Sequence, residues 1–333
     1  MKALVTGGGG FVGEHLVKAL LSRGDSVRLL ARGDYPALAA LGAETRQGDV
    51  RDASAVARAT EGIDVVFHVA AKAGGWGSAR DFESINVTGT ENVIAACRAS
   101  GTESLVYTSS PSVVHAHRDI EGADESLPYA TQFTAHYPRT KALAEQLVRK
   151  ASSPGLRTMA LRPHLIWGPG DRHLLPRLVA RANAGRLRQV GSRDVLTDTI
   201  YIDSCVDAHL KAAKALHVNA GLSGRVYFVS DDSPVGLWTM AGRMLAAVGA
   251  RPIGAPIPSG LAYAVGATLE AVHGAFGLAR EPLMTRFAAS QLSHAQWFDI
   301  GAAKRDLAYV PRITIEEGLA RLASASRAAL HPR

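Results

Sequence analysis

Short apolar runs alternate with amphipathic stretches along the first half of the chain. The runs that predict strands lie at 2–6, 26–31, 44–48, 64–70, 104–110 and 157–163. Between them, apolar residues recur with helical spacing over 11–24, 52–60, 81–100 and 137–151. Regular alternation of strand and helix is typical of a parallel sheet that is covered by helices on both faces. The sequence therefore predicts an α/β fold with a doubly wound parallel sheet.

The alternation breaks after Pro163, and the rest of the chain predicts a smaller lobe that binds the substrate. Turn residues at 167–171 precede Arg- and Leu-rich helical segments that extend to about residue 188. The stretch 197–210 predicts a strand and an Asp-capped helix that return to the first domain. The predicted division is a first domain of residues 1–165 with 197–230, and a lobe of residues 166–196 and 231–333.

One long apolar stretch, 259–280, has to be compared with a membrane span. Glu270 and His273 interrupt its middle, where polar groups are most costly in a bilayer. We therefore predict a helix that buries its apolar face against the protein. Peripheral contact with a membrane is the alternative.

The charge of the chain favours small anionic ligands over nucleic acid. Its 333 residues include 37 basic and 30 acidic side chains, which gives a formal net charge of +7. The basic residues are scattered and form no run of the kind that binds nucleic acid. A phosphorylated cofactor, a carboxylate or a coenzyme A group would suit this excess, and we expect no nucleic-acid partner.

Neither a metal site nor secretion is predicted. The two cysteines, Cys97 and Cys205, lack the spacing of metal ligands, and the HAH triplet at 115–117 has no further ligand at a suitable spacing. Few cysteines suit a reducing compartment, and a strand rather than a leader opens the sequence. We expect no metal and a cytoplasmic location.

A glycine-rich turn follows the first predicted strand. Gly7, Gly10 and Gly13 have the spacing GxxGxxG, and Phe11 and Val12 open the next helix. The first glycine allows a tight turn, the second lets a pyrophosphate approach the backbone, and the third lets helix and strand pack closely. Exposed N–H groups and the helix dipole then hold the phosphates. The motif predicts a Rossmann-type dinucleotide site.

The end of the second predicted strand indicates which dinucleotide binds. Arg32 stands where NAD sites carry an acid for the ribose 2′-hydroxyl, so it favours the 2′-phosphate of NADP(H). Arg28 is a further candidate for the same phosphate. The alternatives are that Asp34 takes the acidic role or that Arg32 is only solvated. Asp49, after the third strand, is placed either to contact adenine or to cap the following helix.

A YxxxK pair provides the candidate chemistry. Tyr137 and Lys141 are four residues apart on a predicted helix, so both side chains lie on one face. That helix follows the fifth strand, whose end carries Ser109 and Ser110. Because so short a pattern arises readily by chance, its position after the dinucleotide motif carries the argument.

Several segments make the chain similar to a known family, in the right order from residue 2 to about 320. They are TGGGGFVG, VYTSS, YPRTKALAE, LRPHLIWGPGD, YIDSCVDAH and, at the end, YVPRITIEEGL. By these segments the chain resembles the extended short-chain dehydrogenase/reductases, especially their 3β-hydroxysteroid dehydrogenase-like branch. The resemblance implies a Rossmann domain, a smaller C-terminal substrate-binding lobe and an oxidoreductase that uses a nicotinamide cofactor.

The resemblance also implies roles for the candidate residues. Tyr137 would donate the proton that a developing alkoxide needs, while Lys141 would lower the pKa of the phenol and hold the nicotinamide ribose. Ser110, rather than Ser109, would hydrogen-bond the substrate oxygen, and a turn serine at a strand end is the alternative. Contacts with the cofactor are expected from Gly7, Gly10, Phe11, Val12, Gly13, Arg32, Asp49, Val50, Ala70, Ala71, Lys72, Tyr137, Lys141 and Pro163.

Other polar residues of the predicted site are interpreted as structural. His68, His136 and His164 could act as acids or bases, but a satisfied strand or pocket histidine is the more common case. Asn86 resembles a structural helix asparagine of the family. We therefore predict that these residues support the site rather than react.

Within the branch, AKAGGWGS, YTSSPSVVH, LRPHLIWGPGD and EPLMTRF resemble the bacterial reductases of long-chain olefin biosynthesis. The resemblance implies NADPH-dependent reduction of a branched β-keto acid with two long alkyl chains to the β-hydroxy acid. It also implies work beside a β-lactone synthetase and a β-lactone decarboxylase. A lipid-like anion would suit a basic protein with an apolar helix at 259–280.

Three other functions stay open. A 3β-hydroxysteroid dehydrogenase would share the catalytic residues, and a nucleotide-sugar epimerase or dehydratase would carry an acid where Arg32 stands. A non-catalytic NADP(H)-sensing regulator would typically lack the Tyr137 or Lys141 that this chain keeps. The family commonly dimerises through helices that correspond to 81–100 and 137–151, so the resemblance implies a homodimer.

Overall fold

The computed structural model describes residues 1–115, 117–278 and 280–330, so Ala116 of the HAH triplet, position 279 of the apolar stretch and the end of the lobe lie outside it. The strands are β1 (Lys2–Thr6), β2 (Ser26–Ala31), β3 (Glu44–Gln47), β4 (Val65–His68), β5 (Ser104–Thr108), β6 (Ile120–Ala123), β7 (Arg157–Pro163), β8 (Ile166–Trp167), β9 (Arg188–Val190), β10 (Leu196–Thr197), β11 (Ile200–Tyr201), β12 (Arg225–Val229), β13 (Val235–Gly236), β14 (Gly254–Ile257) and β15 (Gln296–Phe298). The α-helices are α1 (Phe11–Ser22), α2 (Pro36–Ala40), α3 (Ala53–Thr60), α4 (Ala79–Glu83), α5 (Gly89–Ser100), α6 (His136–Lys150), α7 (Leu174–Asn183), α8 (Ile202–Val218), α9 (Leu237–Ala247), α10 (Ser259–Ala275), α11 (Arg286–Gln291), α12 (Gly301–Leu307) and α13 (Ile315–Leu330). A π-helical turn covers Ser84–Thr88, and 3-10 turns cover Pro111–Val114 and Ala220–Leu222.

A seven-stranded parallel sheet organises the fold, in the order β12-β7-β5-β4-β1-β2-β3. The chain adds β1 to β3 in one direction and β4, β5, β7 and β12 in the other. The direction reverses between β1 and β4, and doubly wound sheets bind their ligands at such a point, beyond the carboxyl ends of the strands. The predicted α/β fold is confirmed, and the sheet topology indicates where its site lies.

Apolar layers cover both faces of this sheet. Ala3 and Val5 of β1 belong to the layer that contains α1 and α8, whereas Leu4 belongs to the layer that contains α3 and α5. Successive side chains of a strand point to opposite faces, so a strand covered on both sides needs a continuous apolar run. The sequence Ala3-Leu4-Val5 is continuously apolar because β1 is covered on both faces.

The predicted helix over 81–100 is interrupted, and the prediction of one continuous helix is wrong. Helix α4 ends at Glu83, the π-helical turn follows, and α5 begins at Gly89. The wider turn accommodates Asn86, a buried polar side chain that contacts a neighbouring loop. The apolar spacing on which the prediction rested carries no signal for such a side chain. Turns of this type concentrate at functional sites.

Two predictions in the middle of the chain are also wrong. The Arg- and Leu-rich segment contains one helix, α7, instead of helices to residue 188, because Gly185 turns the chain with a φ of +67° and β9 follows. The segment 197–210 contains two very short strands and a helix, α8, that starts after Tyr201 without a side-chain cap. The predicted Asp cap is therefore absent, and Asp203 lies within the first turn of α8.

Segments of the two predicted domains interleave in space. Strand β12 pairs along β7 in the main sheet, with Tyr227 opposite Leu161. The lobe has its own four-stranded sheet in the order β13-β10-β15-β6, and two-stranded pairs β8–β11 and β9–β14. Strand β6 comes from within the first 165 residues, so this smaller sheet also uses a strand of the predicted first domain. The domain boundaries at 165, 197 and 230 stay a prediction.

Helix α10 exposes most of the apolar face that the sequence predicted to be buried. Within this helix, Ala262 and Gly266 are buried. The prediction is wrong because the helix contacts the protein through small residues: a Cβ on Gly266 would lie 2.7 Å from the carbonyl carbon of Thr285. The exposed apolar side chains on and just beyond the helix are Leu261, Tyr263, Val265, Val272, Phe276, Leu278 and Leu283.

Among residues 1–115, 117–278 and 280–330, no helix is both long and apolar enough to span a bilayer.

Candidate active site

A cleft of about 1530 Å³ opens at the carboxyl ends of β1 and β4 and continues into the lobe. Its walls contain all the residues that the sequence predicts for the site. They are Gly7, Gly10, Phe11, Val12, Gly13, Arg32, Asp49, Val50, Ala70, Ala71, Lys72, Ser110, Tyr137, Lys141 and Pro163. The structure therefore brings the predicted residues together, and their roles stay predictions.

Close backbone contacts explain the spacing of the glycines. Gly7 has a φ of +70°, and a Cβ at this position would lie 2.8 Å from Cα of Ala70. A Cβ on Gly13 would lie 2.2 Å from the carbonyl oxygen of Gly7, so α1 begins in direct contact with the turn. The N–H of Gly10 donates to the same oxygen at 2.9 Å. Side chains at Gly7 or Gly13 would displace the backbone that is to hold a pyrophosphate.

Tyr35 covers the glycine loop and was not predicted from the sequence. A Cβ on Gly9 would lie 1.7 Å from Cζ of Tyr35, so the aromatic ring rests directly on Gly9. Tyr35 immediately precedes α2 and lines the cleft. A side chain at the third of the four consecutive glycines would therefore collide with the Tyr35 ring unless that ring moved.

Arg32 lines the dinucleotide end of the cleft with an exposed side chain, whereas Asp34 lies outside the lining. The prediction for Arg28 is wrong, because its guanidinium points elsewhere. Nε of Arg28 donates to Glu44 at 2.8 Å, and Nη1 donates to two main-chain carbonyl oxygens at the end of α3. Arg32 is left as the candidate for a 2′-phosphate.

Asp49 lines the cleft and is held by Arg51. Nε and Nη2 of Arg51 donate to the two carboxylate oxygens at 3.0 and 2.7 Å. These hydrogen bonds lower the pKa of Asp49, although burial opposes the shift. Helix α3 is capped by Asp52, which accepts the N–H of Ser54 at 2.9 Å. Helix capping therefore does not account for Asp49, and its contact with adenine stays a prediction.

Asn86 fixes the loop that follows β4. Its side-chain oxygen accepts the N–H of Lys72 at 2.7 Å, and its amide donates to the carbonyl oxygen of Lys72 at 3.0 Å. The same amide donates to the hydroxyl of Thr140 on α6 at 3.0 Å. One buried side chain thus ties the predicted cofactor loop to the helix of Tyr137 and Lys141, which agrees with the structural role expected for Asn86.

Tyr137 and Ser110 are brought together by α6 and the end of β5. Tyr137 is the second residue of α6, and Ser110 precedes the 3-10 turn, where its hydroxyl accepts the N–H of Ser112 at 3.2 Å. Burial raises the pKa of Tyr137, and its interaction with the Ser110 hydroxyl opposes that rise. Ser110 therefore caps a local turn and also contacts Tyr137, so its two predicted roles are compatible.

Lys141 lies one helical turn beyond Tyr137 and is buried. Its Nζ donates to the carbonyl oxygen of Thr108 and lies 4.2 Å from the centre of the Tyr107 ring. Burial lowers the pKa of Lys141 to about 7, and the charge of Glu145 opposes the shift. The pKa of Tyr137 is raised overall by burial, and Ser110 rather than Lys141 opposes that rise. The lowering expected from Lys141 therefore stays a prediction for the complex with a cofactor.

A buried ion pair lies next to Lys141, with Glu145 one turn further along the same helix. Nη2 and Nε of Arg162 donate to the carboxylate of Glu145 at 2.6 and 3.0 Å, and the two side chains are 2% and 0% exposed. Burial alone would raise the pKa of Glu145, but the hydrogen bonds and charge of Arg162 lower it overall. The sequence held a signal for this pair: Glu145 continues the face of Tyr137 and Lys141, and Arg162 interrupts an apolar strand.

The candidate histidines have different surroundings. His68 is a satisfied core residue, because its ring contacts the hydroxyls of Thr6 at 2.7 Å and Thr90 at 3.0 Å. Burial, with a smaller contribution from the charge of Lys141, lowers its pKa to about 3. His136 packs near Phe82. His164 lines the cleft, and burial lowers its pKa to about 4, so it is neutral there.

The histidines of the HAH segment contact a serine. Nε2 of His115 and Nδ1 of His117 lie 2.9 and 2.7 Å from the Ser290 hydroxyl. Within the part of the chain that the structure describes, no group of three or more His, Cys, Asp or Glu side chains is arranged to hold a metal ion.

The lobe half of the cleft combines apolar side chains with arginines. One face of α7 lines it, since Leu174, Arg177, Leu178 and Arg181 recur at i, i+3, i+4 and i+7. Large apolar side chains from α9 and the segment around α11 also line it: Leu237, Trp238, Met240, Met244, Leu283, Met284, Phe287 and Leu292. A lining of this kind suits long hydrocarbon chains. These segments belong to the predicted substrate lobe, and EPLMTRF contains Leu283, Met284 and Phe287, but none of these residues was predicted to line a cleft.

The same fold occurs in the structure of MoeE5 in complex with UDP-glucose and NAD. The two chains superpose with a TM-score of 0.77 at 24% sequence identity, over 99% of this chain and 100% of that chain. The doubly wound parallel sheet carries a glycine-rich turn after β1 and a Tyr–Lys pair in the same cleft. Together these features define a nicotinamide-dependent oxidoreductase of the extended short-chain dehydrogenase/reductase class. The chain belongs to the 3-beta hydroxysteroid dehydrogenase/isomerase family, whose model matches residues 4–257.

Two relatives resemble the chain over nearly its whole length. A 2-alkyl-3-oxoalkanoate reductase of Stenotrophomonas maltophilia is 48% identical over 331 residues, which cover 98% of this chain and 100% of the relative. A 2-alkyl-3-oxoalkanoate reductase of Shewanella oneidensis is 46% identical over 328 residues, which cover 96% of this chain and 85% of the relative. The predicted family and the predicted class of enzyme are confirmed.

Proposed function

We propose that the protein is an NADPH-dependent ketoreductase that converts a 2-alkyl-3-oxoalkanoic acid into the 2-alkyl-3-hydroxyalkanoic acid during olefin biosynthesis through a β-lactone. The proposal rests on the side chains that line a single cleft. Ser110, Tyr137 and Lys141 share this cavity with an apolar lining that suits alkyl chains. The names of the two full-length relatives support the same substrate class.

The catalytic group accounts for the reduction of a ketone. When bound, the nicotinamide cofactor supplies a hydride to the carbonyl carbon. Ser110 donates a hydrogen bond to the carbonyl oxygen, where negative charge develops, and Tyr137 donates its phenolic proton to that oxygen. Lys141, one turn along α6, places a positive charge beside the phenolate. Solvent then returns a proton to Tyr137, so the net products are the secondary alcohol and the oxidised cofactor.

The proposed cofactor is NADP(H) rather than NAD(H). The backbone at Gly7 and Gly13 fits a pyrophosphate, and the exposed guanidinium of Arg32 at the same end of the cleft supports a 2′-phosphate. Arg32→Ala should lower kcat/KM for NADPH by about 10-fold or more, which is the size of a charged hydrogen bond, and should change NADH little. Arg58→Ala, an exposed arginine on α3, is the control. An equal loss with NADH would contradict the assignment.

The reaction is tested by following NADPH absorbance with a 2-alkyl-3-oxoalkanoic acid and separately with a 3-ketosteroid. We expect turnover of the keto acid, and Tyr137→Phe should reduce it by about 10²- to 10⁴-fold because only the proton donor is lost. NADPH binding should persist in this variant. Tyr263→Phe, which removes an exposed hydroxyl from α10, is the matched control.

The same assay separates the alternatives. Turnover of the steroid alone would favour a 3β-hydroxysteroid dehydrogenase. Inactivity with both compounds, while NADPH still binds, would favour the NADP(H)-sensing regulator. A nucleotide-sugar epimerase or dehydratase is the weakest alternative, since Arg32 occupies the position where such enzymes carry an acid.

The cellular setting belongs to the proposal as well. We propose a cytoplasmic homodimer that associates through α5 and α6 and works with a β-lactone synthetase and a β-lactone decarboxylase. Leu143 on α6 is 38% exposed, which supports a contact on that helix. The exposed apolar face of α10, with Arg280 just beyond it, supports peripheral contact with an anionic lipid surface.

A further inference from the structure

The lobe half of the cleft contains arginines that the catalytic group does not use. Arg177, Arg181, Arg186 and Arg188 line it. Arg177 is engaged, since its Nη2 lies 2.7 Å from Oε1 of Glu281. Nε of Arg188 donates to a main-chain carbonyl oxygen of β14 at 3.0 Å. Among the described residues, the guanidinium groups of Arg181 and Arg186 contact neither a carboxylate nor a main-chain carbonyl oxygen within hydrogen-bond distance.

Only one of these two side chains is removed from solvent. Arg186 is exposed, so water satisfies its charge. Arg181 is half-buried on the cleft-facing side of α7, one turn after Arg177. Burial lowers the pKa of Arg181, and the neighbouring charge of Arg177 lowers it further, while Glu281 opposes the shift. A half-buried cation with too little negative charge around it gains stability when an anionic ligand arrives.

We propose that Arg181 binds the carboxylate of the substrate. The inference rests on the proposed function, because a 3-oxo acid is ionised at neutral pH and would carry that charge into a largely apolar cavity. A guanidinium offers two parallel N–H donors that match the two oxygens of a carboxylate. The alkyl chains would then lie along the apolar lining that continues from Leu178 of the same helix.

Arg181 would also determine which ketones the enzyme accepts. A 3-ketosteroid or an ester of the keto acid carries no anion, so it would leave the guanidinium unpaired and desolvated. Discrimination is strong when a wrong ligand leaves a buried polar group without its partner. The arginine thus selects acids over neutral ketones of similar size.

The test compares a 2-alkyl-3-oxoalkanoate with its methyl ester in the wild-type enzyme, Arg181→Leu, Arg181→Lys and Arg186→Leu. For the acid, Arg181→Leu should raise KM by about 10- to 100-fold with a small change in kcat, because a charged hydrogen-bonded pair is lost. Arg181→Lys should restore part of the loss, and the ester should respond by about twofold or less. Equal losses for acid and ester, or equal losses in Arg186→Leu, would overturn the proposal.

A binding measurement separates this proposal from the proposed reaction. Trp238 lines the cleft, so its fluorescence can follow binding of a 2-alkyl-3-hydroxyalkanoate and of the matching alcohol without a carboxylate. We expect Arg181→Leu to weaken binding of the acid alone. Carboxylate binding that depends on Arg181 without any turnover would support the site and contradict the reaction. Turnover of the acid that does not depend on Arg181 would do the reverse.

Discussion

The side chain of Lys141 owes its properties to its surroundings. An ordinary lysine titrates near 10.5, but burial between the end of β5 and the Tyr107 ring brings the pKa of Lys141 to about 7. Its hydrogen bond to the Thr108 carbonyl satisfies one proton of the ammonium and offers no negative charge. Holding a positive charge on Lys141 near neutral pH therefore lowers the stability of the folded state.

That cost makes the stability of the protein depend on pH. The folded state binds the proton of Lys141 less tightly than the unfolded state, so this group adds stability above pH 10.5 and loses it as the pH falls toward 7. The slope should reach up to about 1.4 kcal/mol per pH unit in that window. Lys141→Met should raise the midpoint of chemical denaturation at pH 7 and flatten this slope.

Lys150→Met, which alters an exposed lysine at the end of the same helix, is the control for this experiment. Denaturation curves at pH 7, 8 and 9 give the measurement. Equal slopes in the wild type and in Lys141→Met would contradict a depressed pKa of the buried amine.

The sequence predicted those residues whose spacing follows from chemistry. Tyr137 and Lys141 are four residues apart because both must reach one face of a helix, and such a rule needs only the order of residues along the chain. Tyr35 and Arg181 were missed, since the ring on Gly9 and the guanidinium beside α7 depend on contacts between segments distant in the chain. Arg28 was misplaced for the same reason.

Helix α6 carries Tyr137 and Lys141 and is also attached to the main sheet. Tyr137, Lys141 and Glu145 follow one another at intervals of four on one face. Glu145 then pairs with Arg162 of β7, so the helix is fixed to the strand next to β5 by a buried ion pair. Neither partner can be removed alone without a large loss of stability, because an isolated charge in this environment would be severely destabilising.

Removing one partner of this pair should therefore destabilise the protein. Arg162→Met leaves Glu145 buried without its cation and should lower the free energy of unfolding by about 3–5 kcal/mol. The double variant Arg162→Met/Glu145→Met should recover most of that loss, since no charge is then stranded. Denaturant midpoints of the two single variants and the double variant measure the coupling. A double variant no more stable than Arg162→Met would refute the pairing as the cause.

The regular elements of the main sheet could be predicted because its inner strands are covered on both faces and its helices are amphipathic, whereas the edge strand β3 is largely exposed. The interruption at Ser84–Thr88 could not, since it serves the polar contacts of Asn86 with Lys72 and Thr140. Helix α10 was predicted as a helix, but its apolar spacing does not say which face the protein covers. Its contact runs through Gly266, a residue with no side chain to indicate burial.

The molecule combines a positive net charge with an exposed apolar surface along α10 and beyond it. Phe276 is 76% exposed at the end of this helix, and Arg280 lies four residues further along the chain. Basic residues next to exposed aromatic and aliphatic side chains are typical of proteins that rest on anionic lipid. With this surface on lipid, Leu283, which also lines the cleft, would lie beside the lipid.

Replacing Leu261 and Phe276 together by serine should weaken binding to vesicles of anionic lipid. We expect a loss of about 10-fold or more in cosedimentation, because each side chain contributes several buried methylene equivalents. Val218→Ser, at an exposed apolar position on α8, is the control. Self-association that the same double variant abolishes, without any binding to vesicles, would show instead that two copies meet on this face.

Leu283 joins this apolar surface to the cleft, since it is 53% exposed and also lines the cavity. The rate of an enzyme that takes a lipid-like substrate from a membrane depends on the surface concentration of that substrate in the lipid. The total substrate concentration in the sample matters less. Adding lipid that is not a substrate, at a constant amount of substrate, would then lower the surface concentration of the substrate and slow the enzyme. Such surface dilution would look like inhibition in a bulk assay, although the catalytic group itself would be unaffected.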